Sequence, residues 1–212
     1  MLGVGAMAAG AIALVIRARR RRHQHPPPPK SLREKLRIRE ATPNDAARLI
    51  QWVRHINAER NPYLLMEPGE FTMTEEKERN FLQECAVSPN RVFLLGFVGG
   101  DGNDGEEEEI VAACNITASA RAKVRHRGTF GLTVSKKFRG RGVGGAMLDR
   151  LIAWATANTV LTKLELFVHE DNAGAKGLYL SRGFEREGRV RNAVQIDGKY
   201  YDQVMMGMDV VA

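Results

Sequence analysis

The sequence predicts a mixed α/β domain: one sheet with helices on both faces. Three observations carry that expectation. Apolar runs of strand length alternate with stretches whose apolar residues recur at helical spacing. A glycine-rich turn, Arg139-Gly140-Arg141-Gly142-Val143-Gly144, joins one such run to one such stretch. No segment repeats, and 212 residues suit one full hydrophobic core rather than two.

The elements come in order. Residues 36–39 alternate as an opening strand. Thr42 then serves as N-cap, with Pro43 at the first helical position and Asp45 at the third. The next helix carries Leu49, Ile50, Val53 and Ile56 on one face. Pro62, Pro68 and Gly69 interrupt the pattern across residues 61–74, and a second helix spans roughly residues 75–85. Residues 91–98 and 110–117 read as paired strands, joined by a Gly- and acid-rich hairpin loop, residues 99–109. Residues 121–126 lead into a central buried strand at 129–134. After the glycine turn, Val143, Met147, Leu148, Leu151, Ile152 and Ala155 mark a helix. A strand at 162–168, a helix from about Ala173 and a closing hairpin complete the order β-α-α-β-β-β-α-β-α-β-β.

The glycine turn is the chemically informative element. A strand that turns through glycines into a helix points unpaired N–H groups at one spot, with the positive end of the helix dipole behind them. Phosphate or pyrophosphate fits there. The residues around Gly145-Ala146 lack the Lys and Ser/Thr of a P-loop, which argues against a nucleoside triphosphatase. A dinucleotide fingerprint belongs after the first strand of its domain, and this turn lies late in the chain.

A third pattern fits: Arg/Gln-x-x-Gly-x-Gly/Ala, matched by Arg139, Gly142 and Gly144. With it stand Asn172, Ala175, Leu178-Tyr179 and Gly183-Phe184, an Asn-x-x-Ala-x-x-Leu-Tyr-x-x-x-Gly-Phe signature. The closing Asp197-Gly198-Lys199-Tyr200-Tyr201-Asp202, Met205 to Met208, and His126, Phe130, Gly131 and Val134 fall in step. On these residues the chain, from about Leu36 to Val210, resembles the Gcn5-related N-acetyltransferase (GNAT) family. The resemblance is to its bacterial amino-acid and protein N-terminal acetyltransferase branch. It implies a mostly antiparallel sheet with a central splay, acetyl-CoA as cosubstrate, no metal, and a small-molecule or peptide amine as acceptor.

The resemblance also implies roles. Backbone groups at Leu132 and Val134 meet the thioester and pantetheine arm. The turn from Arg139 through Gly140, Arg141, Gly142 and Val143 to Gly144 holds the pyrophosphate. Asn172 bonds the cofactor arm or caps the helix that comes after it. Tyr179 is the general acid for the departing thiolate. Many relatives carry an acidic residue on the central strand, where Gly128 and Thr129 stand here. His126 is taken as the base, with Glu67, Glu70 and His169 as alternatives.

A weak base favours an acceptor that is easily neutralised. At pH 7 that costs about 4.6 kcal/mol for a lysine but only about 1 kcal/mol for an α-amine. The α-amine of an amino acid or peptide is therefore the expected acceptor. The alternative is a non-catalytic acyl-CoA-binding regulatory module. Residues 61–74 and 188–201 are expected to shape the acceptor pocket.

Charge divides the chain at residue 35. The net charge is +7. Through Leu36 eight basic residues stand against Glu34 alone, so the remainder is neutral and carries no nucleic-acid footprint. This tail (1–35) has an apolar start, an arginine cluster at 17–22 and the spacer Pro26-Pro27-Pro28-Pro29. Its apolar stretch is short for a bilayer span and lacks a basic leading region, so a cleaved secretory signal is not expected. Three readings stay open: a weak membrane tether, an organelle-targeting segment, or an extension without function. If the tail inserts, the positive-inside rule keeps the domain (36–212) on the cytosolic face, where acetyl-CoA is available. Cys85 and Cys114 have no metal or redox spacing and read as core residues in a reducing, cytoplasmic compartment. Oligomeric state is left open.

Overall fold

The computed structural model describes residues 35–99 and 108–210. The basic tail through residue 34, with its tether and targeting readings, lies outside the described residues, as do residues 100–107 of the acid-rich hairpin loop. Among the described residues, seven strands and four helices occur in the expected order. The strands are β1 (Arg37–Glu40), β2 (Val92–Val98), β3 (Glu109–Ala118), β4 (Arg127–Val134), β5 (Lys163–His169), β6 (Glu185–Ile196) and β7 (Lys199–Asp209). The helices are α1 (Ala46–Ala58), α2 (Glu75–Val87), α3 (Val143–Thr156) and α4 (Ala173–Ser181).

All strands belong to one sheet of order β1-β2-β3-β4-β5-β7-β6. Every neighbouring pair is antiparallel except β4 and β5, which run parallel. The sheet divides two cores. On one face Leu148 and Leu151 of α3 and Tyr179 of α4 pack with Ile116, Phe130 and Leu164. On the other, Leu49, Trp52 and Ile56 of α1 and Leu82 of α2 pack against Leu95 and Phe97. Strand alternation assigns each residue of β4 and β5 to one or other face of the sheet.

Local chemistry explains the entry into α1. Pro43–Asp45 forms a 3-10 turn before the α-helix begins, one turn of tighter geometry than the capping pattern alone predicts. The Asp45 carboxylate accepts from the Thr42 backbone N–H at 2.7 Å and from both terminal nitrogens of Arg39 at 2.7 Å. Burial alone would raise its pKa. The Arg39 and Thr42 bonds outweigh that and hold the group at about 2. The start of α1 is thereby fixed to β1. A buried bond from Trp52 Nε1 to Ser135 Oγ, 2.9 Å, ties the same helix to the end of β4. The expected core cysteines are buried and free, and burial pushes the Cys114 thiol up to about 12.

Candidate active site

β4 and β5 pair over only three positions, Arg127–Lys163, Gly128–Leu164 and Thr129–Glu165. Beyond them, residues 130–134 and 166–169 have no partner in one another, and the two strands part. β4 stays paired with β3 on its other side through Val134. The Ser135 N–H donates to the Val111 carbonyl at 2.9 Å, which sets the phase of that ladder. Residues 131 and 133 therefore bond β3, while the N–H and C=O of Phe130, Leu132 and Val134 face the gap. On the gap side Leu132 keeps both backbone groups and Val134 its N–H, while the Val134 carbonyl accepts from Arg139 Nε at 2.8 Å.

One end of this gap meets the start of α3. Gly140 and Gly142 hold φ of +70° and +83°, the left-handed region that glycine enters without strain. Gly142 is the N-cap of α3, and no side chain caps it. The first intrahelical bond is from the Ala146 N–H to the Gly142 carbonyl, 3.1 Å, so the N–H groups of Val143, Gly144 and Gly145 point out of the helix end. A Cβ on Gly144 would touch Leu178 of α4 and Val134 of β4 at 3.5 and 3.7 Å, which places the donors against both elements. An anion of pyrophosphate shape fits this end.

The arginines of the turn do different work. Arg139 Nε donates to the Val134 carbonyl at 2.8 Å, and its Nη2 reaches the Glu59 carboxylate at 2.5 Å. Glu59 also accepts from the Lys136 N–H at 2.9 Å. Arg139 thus ties the loop to the end of α1 through two of its three side-chain nitrogens. Arg141 is exposed, its guanidinium 5.7 Å from the Phe138 ring centroid.

Tyr179 lies on the α3/α4 face. Its ring meets Phe130 and Phe184 edge-on at 5.8 and 5.9 Å between centroids, where β4 and β5 begin to part. Burial, with a smaller contribution from nearby Cys114, pushes its phenol up to about 12. Cys114 is the register partner of Leu132, so Tyr179 sits beside the free edge of β4. A phenol kept protonated there can deliver a proton to a thiolate in the gap. Asn172 caps α4, its side-chain oxygen accepting from the Ala175 N–H at 3.1 Å. That leaves its amide nitrogen as the remaining donor.

The base candidates are scattered. His126 precedes β4 at the closed end of the paired segment, and its carbonyl accepts from the Thr162 and Lys163 N–H groups. It is four residues before Phe130, on the far side of the three pairs from the gap. Glu67 and Glu70 are exposed in one turn, where the Glu70 carboxylate accepts from the Glu67 N–H at 2.8 Å. His169 ends β5, is 3% exposed, and lies at the open mouth of the gap.

Sequence reasoning passed over Glu165. This buried carboxylate closes the gap's apex, accepting from Arg127 at 2.7 and 3.0 Å and from the Thr129 hydroxyl at 3.2 Å. Of the two positions where relatives carry an acid on β4, Thr129 bonds Glu165 and Gly128 has no room for a side chain. A Cβ on Gly128 would stand 2.7 Å from Ile116 and 3.4 Å from Leu161 and Leu164. The acid at the apex comes from the neighbouring strand instead, and the opposite charges of Arg127 and Glu165 on two apolar strands were its one sequence signal. Among the described residues no group of three or more His, Cys, Asp or Glu could hold a metal, and no helix is long and apolar enough to cross a membrane.

Comparison with known proteins identifies the family and the fold. The model of the acetyltransferase (GNAT) family matches residues 52–184. A curated relative, the L-amino acid N-acetyltransferase AaaT of Escherichia coli (strain K12), is 30% identical over 154 residues, 73% of this chain and 88% of that protein. The crystal structure of a GNAT-family acetyltransferase from Streptococcus pneumoniae superposes with a TM-score of 0.76 at 32% identity, covering 82% of this chain and 99% of that one. An acetyltransferase structure from Salmonella typhimurium with its cofactor acetyl-CoA shares the fold, with a TM-score of 0.69 at 16% identity and coverage of 83% and 94%. The chain belongs to the GNAT acetyltransferase family. It is an acetyl-CoA-dependent N-acetyltransferase with the splayed sheet of that fold.

Proposed function

We propose that this chain acetylates the α-amine of a free amino acid or a peptide. Acetyl-CoA lies across the β4/β5 gap, its pyrophosphate on the Val143, Gly144 and Gly145 N–H groups and its pantetheine arm along the free edge of Leu132 and Val134. Asn172 bonds the arm through its side-chain amide, and Arg141 adds exposed positive charge at the diphosphate. The amine attacks the thioester carbonyl, the C–S bond breaks, and Tyr179 gives its proton to the departing sulfur. Residues 36–212 carry this activity.

The observation that carries the reading is convergence. Main-chain donors at the α3 N-terminus, the open edge of β4 and a buried protonated phenol meet along one gap. The named activity of the curated relative on L-amino acids supports the acceptor class. Thiol release by the full chain, with acetyl-CoA and a panel of amino acids, peptides and Nα-blocked lysine, tests it. The expected result is turnover with free α-amines and little with blocked lysine. Equal rates on both would overturn the acceptor class. Binding of acetyl-CoA with no turnover on any amine would restore the acyl-CoA-binding module.

A further inference from the structure

The acetyl transfer leaves one proton unassigned. Alternation along β5 puts Leu164, Leu166 and Val168 in the α3/α4 core and Glu165, Phe167 and His169 on the α1/α2 face. Tyr179 belongs to the first face and His169 to the second, so the gap has a proton donor on one side and an imidazole on the other. Phe167, on the His169 side and within the unpaired part of β5, is 46% exposed and leaves that side open to an acceptor.

The imidazole is poorly explained by packing alone. Its Nε2 is one of two buried side-chain polar atoms without a hydrogen-bond partner among the described residues. Such groups are uncommon in folded proteins, because the desolvation is uncompensated. The ring is held between Tyr63, edge-on at 5.5 Å, and Tyr201, tilted at 6.2 Å. Those two residues come from segments 61–74 and 188–201, the pair expected to shape the acceptor pocket. Asp171 Oδ1 lies 4.0 Å from Nδ1, beyond hydrogen-bond length, on the side of the ring away from Nε2.

The other charges nearby are committed. Glu165, two positions before Phe167, is held by Arg127 and Thr129. On the reverse face Glu170 is paired with Arg186 at 3.1 Å and Lys176 at 3.6 Å, and Asp202 with Arg189. Glu59 is taken by Arg139. His169 brings to the mouth a ring nitrogen, Nε2, that no described residue claims.

We infer that His169, rather than His126, is the base that accepts the proton from the incoming ammonium at Nε2. The inference rests on the acetyltransferase reading and deepens it. The ammonium loses two protons in all. One passes to Nε2 and on to solvent, freeing the nitrogen lone pair to attack the thioester carbonyl carbon. The second is lost from the nitrogen as the C–S bond breaks, and it balances the proton that Tyr179 gives to the thiolate. The products are the amide, coenzyme A thiol and one proton.

The test is the pH dependence of kcat/KM for the full chain and its His169→Gln variant, with acetyl-CoA and an alanine tripeptide as probes. The wild-type profile is expected to carry an ionisation in addition to that of the peptide amine, which titrates at about 7.7–8.0. The variant is expected to lose about 100-fold at pH 7. That deficit should shrink below tenfold near pH 9.5, where the amine is already neutral and Tyr179 is still protonated. A deficit constant across pH marks a packing role and overturns the inference. So does a wild-type profile that tracks the amine alone, a result that does not depend on the variant folding. His169→Gln must also keep its acetyl-CoA affinity by calorimetry; loss of that affinity instead assigns the residue to the cofactor site. Wild-type protein that binds acetyl-CoA but releases no thiol sinks the enzyme reading itself, and this inference with it.

Discussion

The two faces of the sheet meet the β4/β5 gap with different chemistry. On the α3/α4 face the contacts are main chain: N–H groups at the start of α3 and the unpaired edge of β4. On the α1/α2 face they are side chains from distant segments, with His169, Tyr63 and Tyr201 drawn from β5, the α1–α2 connection and β7. Main-chain recognition needs particular backbone conformations, which constrain the residue type. Side-chain recognition needs only that something suitable arrives from a loop. The first face can therefore stay fixed while the second adapts to an acceptor.

The sharpest way to break this division is to change Tyr179, the side chain proposed as proton donor on the cofactor face. Tyr179→Phe is expected to lower kcat by about 10²-fold or more while leaving acetyl-CoA affinity within about twofold. Stopped-flow or steady-state kinetics beside calorimetry check it. A parallel loss of binding would make Tyr179 a packing residue. Its high pKa carries a further expectation: turnover should show no loss from phenol ionisation between pH 7 and pH 10, well below about 12.

The backbone side of the comparison is tested at Gly142. A β-branched residue at φ +83° is strained. Gly142→Val is expected to weaken coenzyme A binding by at least about tenfold, or about 1.4 kcal/mol. Turnover at saturating acetyl-CoA should fall far less. A circular-dichroism melt separates this from unfolding. If affinity is unchanged, the turn does not hold the diphosphate.

A smaller effect is expected where a side chain supports the backbone site from outside. Arg139→Ala removes the tie to Val134 and Glu59, a pair only partly shielded from water. Its worth is about 0.5–1 kcal/mol, which should appear as a two- to fivefold loss of coenzyme A affinity. A loss approaching that of Gly142→Val would mean that the guanidinium itself meets the phosphates.

The change expected to have least effect on turnover lies far from the gap. The Asp45 carboxyl sits at about 2 in the folded chain against an ordinary 3.8. A depressed carboxylate stabilises above its unfolded pKa, and that stability drains as pH falls through the folded value. The contribution, about 1–2 kcal/mol after allowing for the partly exposed Arg39, should therefore be complete above pH 5 and fade between about pH 4 and 2. Asp45→Asn should remove this slope from a denaturation series without altering turnover at pH 7.

What the sequence disclosed obeys the same division. The element order was legible because each strand and helix keeps its own periodicity, and the glycine turn because Gly140 and Gly142 adopt conformations that other residues resist. The free edge at Leu132 and Val134 could be named only through resemblance, since an unpaired strand edge has no local signature. The base was not legible. His126, His169 and the two exposed glutamates are equivalent as letters, and only the register of β4 against β5 separates the closed end from the open mouth. Glu165 escaped notice for the same reason. Its link to Arg127 and Thr129 spans more than thirty positions and depends on a parallel pairing that no short-range pattern encodes.

The claim on which both faces depend is that α3 grips a diphosphate through its first turn. Titration calorimetry of the full chain with coenzyme A and with pantetheine, which lacks the diphosphate and nucleotide, tests it most directly. Coenzyme A should bind at least about 100-fold more tightly, with the Gly142→Val chain losing most of that advantage. Equal affinities for the two compounds would contradict the account.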